Sequence, residues 1–119
     1  MSKVVAEISV IPVSTADMRP CVDAAIEAIK RCGIRYEVGA LGTTVEGSLD
    51  QVIEAVKVAH RAAMETGTER CVTEVRIDER QGVDHTIDRE IEGYRMTMAP
   101  VGAQPVPGQE AVESGALEE

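Results

Sequence analysis

One pattern occurs twice in this chain, and it leaves few folds open. An alternating strand runs into an amphipathic helix that stops at glycine, first over Val4–Gly33 and again over Thr43–Gly67. Each half then returns through a further strand-like run, at Arg35–Val38 and at Arg70–Ile77. Crossovers of this kind are right-handed and consecutive elements pack together, so the topology is narrowly restricted. The solution is an α+β fold of the split β-α-β type, β-α-β-β-α-β, with two helices covering one face of an antiparallel sheet. The expected strand order is four, one, three, two, with strand one central.

The strand faces follow from period two. In Val4–Val13 the even positions Val4, Ala6, Ile8 and Val10 are apolar and the odd ones mixed, so the even side lies against the helices. Helix one has N-cap candidates in Ser14, Thr15 and Asp17, and Pro20 is tolerated in its first turn. Its expected buried stripe is Val22, Ala25, Ile26 and Ile29, and Gly33 suits the C′ position. Ser48 and Gln51 have the spacing of a capping box for helix two. That helix is expected to bury Leu49, Val52, Ile53, Val56, Ala59 and Ala63. After Gly82 the pattern weakens, and Thr86–Arg95 reads as a short helix. The predicted organisation is a folded domain over 1–82, a short helix or extension over 83–98, and a flexible acidic tail over 99–119.

At 119 residues this is one small domain, with no Phe, no Trp and only two Tyr. A core of small aliphatic side chains is thin, so association between copies of the chain is expected, as a homodimer or tetramer. The formal charge of -9 argues against nucleic acid, which needs clustered basic residues and aromatic stacking platforms. Four of the acidic residues and none of the basic ones lie beyond Ala99, so nearly half of that charge belongs to the tail. Neither a leader pattern nor an apolar run of membrane-spanning length is present, and Cys21, Cys32 and Cys71 read as reduced thiols. A cytoplasmic location is expected.

The helix-free sheet face is where chemistry could be held. Strand one contributes Glu7 and Ser9 to it, strand four Glu74 and Arg76, strand three Thr44 and Glu46, and strand two Arg35 and Glu37. Carboxylates beside hydroxyls suit a small cation with hydrogen-bonding edges. A carboxylate midway along a central strand, like Glu7, stays wet or has a partner, and a cross-ladder pair with Arg76 is the plain structural account. Val5, Ile11 and Val72 on the same face suggest that another subunit covers part of it.

Three segments carry a resemblance: Ile8-Ser9-Val10-Ile11-Pro12-Val13, Gly42-Thr43-Thr44-Val45-Glu46-Gly47 and Arg80-Gln81-Gly82. Over roughly residues 3–82 the chain resembles the thiamine-binding protein family, the YkoF-like group of small cytoplasmic proteins. The resemblance implies a ferredoxin-like fold and assembly as dimers or dimers of dimers. It also implies binding of thiamine or its hydroxymethylpyrimidine part without catalysis. A ligand pocket is then expected near Gly42–Gly47 and strand one, with Glu46 and Thr44 as first candidates, Ser9 next, and Glu7 and Glu37 behind them. Thiamine carries a permanent positive charge, and its aminopyrimidine offers donors and acceptors that a carboxylate and a hydroxyl can satisfy. On this reading Glu46→Gln weakens binding and leaves the melt of the free protein little changed.

Other classes find less support. Cys21 and Cys32 are about three helical turns apart, and neither His60 nor His85 has a zinc-site partner at the right spacing. The sequence has no nucleophile–base signature, no phosphate-cradling glycine loop and no histidine placed among the carboxylates. No cofactor is implied, and the chain reads as a non-enzyme. The remaining alternative is an oligomeric interaction or regulatory subunit whose polar sheet face is an interface, with a divalent cation among the carboxylates as a variant.

Overall fold

A computed structural model describes residues 2–13 and 16–95. The elements are β1 (Val4–Val13), α1 (Arg19–Arg31), β2 (Arg35–Val38), β3 (Thr43–Gly47), α2 (Leu49–Met64), β4 (Arg70–Asp78) and α3 (Ile87–Arg95). The strands form one sheet in the order β2-β3-β1-β4, with every neighbouring pair antiparallel. Each strand–helix–strand unit leaves a gap that a strand of the other unit fills, which is the expected α+β arrangement. The predicted tail over 99–119 lies outside the described residues, as do the cap candidates Ser14 and Thr15. The chain divides after Arg89: the sheet, α1, α2 and the start of α3 form one unit, and α3 from Glu90 belongs to the second.

Alternation in β1 does what it predicts. Val4, Ala6 and Ile8 are buried and join Val45 of β3, Ala25 and Ile29 of α1, and Val52, Ala55 and Ala59 of α2 in the core. The capping box forms in full: Ser48 Oγ accepts from the Gln51 amide at 3.2 Å, and Gln51 Oε1 accepts from the Ser48 amide at 2.9 Å. At the start of α1, Asp17 Oδ1 accepts from the Arg19 amide at 3.0 Å, and Pro20 occupies the first turn. Gly33 ends α1 with φ at 76°, in the left-handed region that a Cβ disfavours.

The helix stripes differ from those expected. α1 buries Cys21, Ala25, Ala28 and Ile29, while Val22 and Ile26 remain half-buried. α2 buries Val52, Ala55, Ala59 and Ala63, while Leu49 and Ile53 are 44% and 48% exposed. The helices touch each other more extensively than either touches a strand. Alanine permits that, because a methyl side chain lets helix axes approach, so each buried stripe turns toward the neighbouring helix. Leu49 and Ile53 are rotated outward, while Ile29 and Val52 stay in the core. Toward β4, His60 Nδ1 and Thr73 Oγ1 share a hydrogen bond of 2.7 Å across the helix–sheet seam.

Candidate functional site

The strand register brings the open-face residues into rows. One row runs Glu37, Thr44, Glu7, Arg76, and the next places Ser9 opposite Glu74. Beside them, toward the start of β1, lies the row Arg35, Glu46, Val5, Asp78. All five expected ligand residues therefore share the side that α1 and α2 leave open. Glu7 and Glu46 point the same way.

That side is not bare along its whole length. Residues 84–88 cross the Glu46 row and fasten to it: the Lys3 amide donates to Asp84 Oδ1 at 2.9 Å, and the His85 amide donates to the Lys3 carbonyl at 3.0 Å. Arg35 grips Asp88 with two bonds of 2.7 and 3.0 Å, and these bonds, with the Asp88 charge, hold the guanidinium pKa above its ordinary value. Glu46 Oε1 accepts from the Ile87 amide at 2.9 Å, where α3 begins with otherwise unmet donors. Its other oxygen lies 3.6 Å from Lys3 Nζ, and only 8% of the residue is exposed. Glu46 is thus the anchor of α3. A negative side chain there complements the helix dipole as well as filling a hydrogen bond.

The expectation for Glu46→Gln left out this structural role: a glutamine keeps an acceptor for the Ile87 amide, whereas losing the acceptor altogether strands it. The reading that no histidine stands among the carboxylates does not hold, since His85 Nε2 lies 3.1 Å from Asp78 Oδ2. The weak patterning after Gly82 hid both.

Farther along the sheet, β1 outruns β3. The β1–β3 pairing stops at Ile8 opposite Thr43, whereas β4 accompanies β1 to Val13. Among the described residues, Ser9–Val13 therefore has a strand neighbour on one side only. At this free edge lies a cavity of about 510 Å³, a size suited to a small organic ligand. Its strand-side wall presents Glu7, Ser9, Glu74 and Arg76. The opposite wall is apolar, built from Met18, Val22 and Ile26 at α1 and Val38 and Leu41 at the β2–β3 turn. This explains why Val22 and Ile26 are only half-buried.

Gly42 lets the turn approach the strand. A Cβ at this position would stand 2.6 Å from Ser9 Oγ, 3.0 Å from Glu7 Cγ and 3.1 Å from the Ile8 carbonyl. The closeness is used: Ser9 Oγ donates to the Leu41 carbonyl at 2.8 Å, pinning the turn over the cavity. Glu7 and Arg76 sit opposite each other, yet among the described residues neither forms an ion pair within 4 Å. The expected cross-ladder bridge is not closed, so the Glu7 carboxylate faces the cavity with its charge uncommitted.

A second cavity, of about 690 Å³, lies between α1 and α2. It is larger, but Arg31 and Arg61 stand there among Asp50, Glu54 and Glu65, so opposing charges line its rim. None of the strand-one or Gly42–Gly47 residues reaches it. Cys32 borders it, and burial, then the charge of Glu54, pushes that thiol's pKa up.

The family model of thiamine-binding proteins matches residues 6–95, a span that contains β1 from Ala6 onward, the β2–β3 turn and the whole strand-side wall. The chain belongs to the thiamine-binding protein family. Within this family, a UPF0045 protein from Methanothermobacter thermautotrophicus is 37% identical over 95 residues, covering 77% of this chain and 96% of the relative. A solved domain of unknown function from Bacillus cereus, DUF77, superposes with a TM-score of 0.74 at 39% identity, covering 82% of this chain and 95% of that one. A Thermotoga maritima structure, provisionally designated a thiamine biosynthesis/salvage protein, gives a TM-score of 0.71 at 35% identity. That match covers 78% of this chain and 99% of the other. A family of binding proteins points to a small-molecule binding role.

The expected residues distribute unevenly around the cavity. Glu7 and Ser9 line it, Thr44 stands next to Glu7 one strand over, and Glu37 and Glu46 lie outside. Glu74 and Arg76 were on the polar face but not among the candidates. The apolar wall was missed because Val22 and Ile26 fall on the same helical period as true core residues. The one available signal was strand length, since β1 has ten residues against five in β3.

Proposed function

We propose that this chain is a non-catalytic, cytoplasmic binding protein for a small cationic heterocycle, thiamine or a related pyrimidine, held at the free edge of β1. The observation that supports this most is the two-sided cavity in a member of the thiamine-binding family. One wall offers the uncommitted Glu7 carboxylate with Ser9 beside it, and the other offers Val22, Ile26 and Leu41. A thiazolium ring can set its charge toward Glu7 while its carbon framework rests on the aliphatic wall. Thr44 Oγ1, which bonds to no other described residue, is available at the strand-side margin. Glu37 contributes negative potential from the next strand.

Self-association belongs to the same reading. Ile11 and Val72 face each other beyond the Ser9 row, and Val72 is 39% exposed. A second copy seated there would complete the cavity as a site at a dimer or tetramer seam. The test is a thermal melt with and without ligand. A molecule that binds only the folded state raises the melting temperature according to its concentration over the dissociation constant. Thiamine and hydroxymethylpyrimidine at about millimolar concentration are expected to raise it, and no shift with either would leave the polar face as an interface alone.

A further inference from the structure

We infer that two copies of this chain pair edge to edge through β4, antiparallel and centred on Val75, so that Glu74 of each copy meets Arg76 of the other. The inference deepens the self-association reading above and rests on it. β4 is a nine-residue strand at the end of the sheet, and among the described residues β1 is its sole strand neighbour. Its outer side therefore presents unpaired backbone donors and acceptors, a template for another strand. The usual protections are missing. Arg70–Asp78 contains no proline and no lysine, and the residues that share the helix side, Cys71, Thr73, Val75 and Ile77, are uncharged. The other outer strand, β2, is guarded by its shortness, with four residues.

The helix side of this edge is apolar. Leu49, Ile53, Val56 and His60 recur at i, i+4, i+7 and i+11 and so share one stripe of α2. The bond between His60 Nδ1 and Thr73 Oγ1 places that stripe along β4. Leu49 and Ile53 are exposed, and so is Ile77 on the strand itself, at 41%. Apolar side chains beside an open strand edge mark a surface that another protein covers.

Charge on the opposite side fixes the register. Residues directly opposite in an antiparallel pair share a face, so even residues of one β4 meet even residues of the other. Centring on Glu74 would set two carboxylates together, and centring on Arg76 two guanidiniums. Centring on Val75 sets each Glu74 against Arg76 of the second copy, with Val75 on Val75 and Thr73 on Ile77 at the helix side. Residues 72–78 of both copies then overlap. Within one chain, Glu74 and Arg76 are exposed and bond to no other described residue, and both line the cavity. The second copy thus brings its Arg76 to the wall of this cavity. The contact is self-complementary, so it closes as a dimer rather than growing.

The experiment is sedimentation equilibrium of the full chain, with circular dichroism as the check on folding. Glu74→Arg or Arg76→Glu sets like charges opposite each other twice, and each is expected to weaken association at least about tenfold. The double variant Glu74→Arg/Arg76→Glu restores both pairs in the opposite sense and should return to within about threefold of wild type. Ile77→Lys places a charge on the apolar border and should also weaken association, which keeps the test decisive where a charge reversal fails to fold. Folded Glu74→Arg or Ile77→Lys chains that associate as tightly as wild type would overturn the β4 pairing and leave self-association to another surface. So would a double variant as weak as the single ones. A wild-type chain that stays monomeric at every concentration would remove both readings.

Discussion

Glu46 and Glu7 sit on neighbouring rows of one sheet face, and their surroundings give them different work. Glu46 holds the first amide of α3 from a nearly buried position, so removing its carboxylate strands a donor. Glu46→Ala is expected to cost about 1–3 kcal/mol in a urea melt. Glu7→Gln, lacking a bonded partner to strand, should change stability by less than about 0.5 kcal/mol. The reverse pattern would move the ligand group from Glu7 to Glu46. Gly42→Ala drives a methyl against Ser9 Oγ and the Ile8 carbonyl and should cost about 1–3 kcal/mol. Adding Ser9→Ala should recover part of that loss, a coupling readable in a double-mutant cycle. Cys32 gives a pH test. Burial, then the charge of Glu54, raises its folded pKa above the ordinary thiol value, so folding favours the protonated form. The contribution is complete below the unfolded pKa and disappears as pH rises through the folded one. The melting temperature of wild type relative to Cys32→Ser should therefore fall above that range.

Elements differ in how much of them a sequence discloses. The strands were legible because a period of two has only two faces, and Val4, Ala6 and Ile8 leave no doubt which is inside. Helix stripes were legible in period but not in rotation. Leu49 and Ile53 are as apolar as Val52, and only the alanine-lined approach of α1 decides which of them is covered. The start of α3 was the least legible, because a polar clasp of Glu46, Arg35 and the Lys3 backbone has no periodicity to betray it. Such a clasp should hold locally more than globally. Arg35→Gln breaks an exposed, solvent-screened pair and is expected to leave global stability close to that of wild type. Amide exchange at residues 85–89 should nevertheless quicken, since that segment opens on its own. Unchanged exchange there would mean that the buried Ile87 side chain, not the Arg35–Asp88 bridge, holds the segment down.

For the whole molecule, the split β-α-β arrangement explains where a site can exist. Two helices close one face, residues 84–88 close one end of the other, and the unequal lengths of β1 and β3 leave an opening beside acidic side chains. That opening is what the family membership, the carboxylates and the aliphatic wall jointly address. The thin aliphatic core and the apolar pair Ile11–Val72 extend the account to assembly. Light scattering at micromolar concentration is expected to return at least a dimer mass, and a monomer would detach the site from any subunit seam. The most direct measurement remains a titration of thiamine into wild type and into Glu7→Gln. Saturable binding by wild type, weakened at least about tenfold in the variant while its fold persists, is the predicted result. Equal affinity in the two proteins would place the ligand elsewhere and contradict the account.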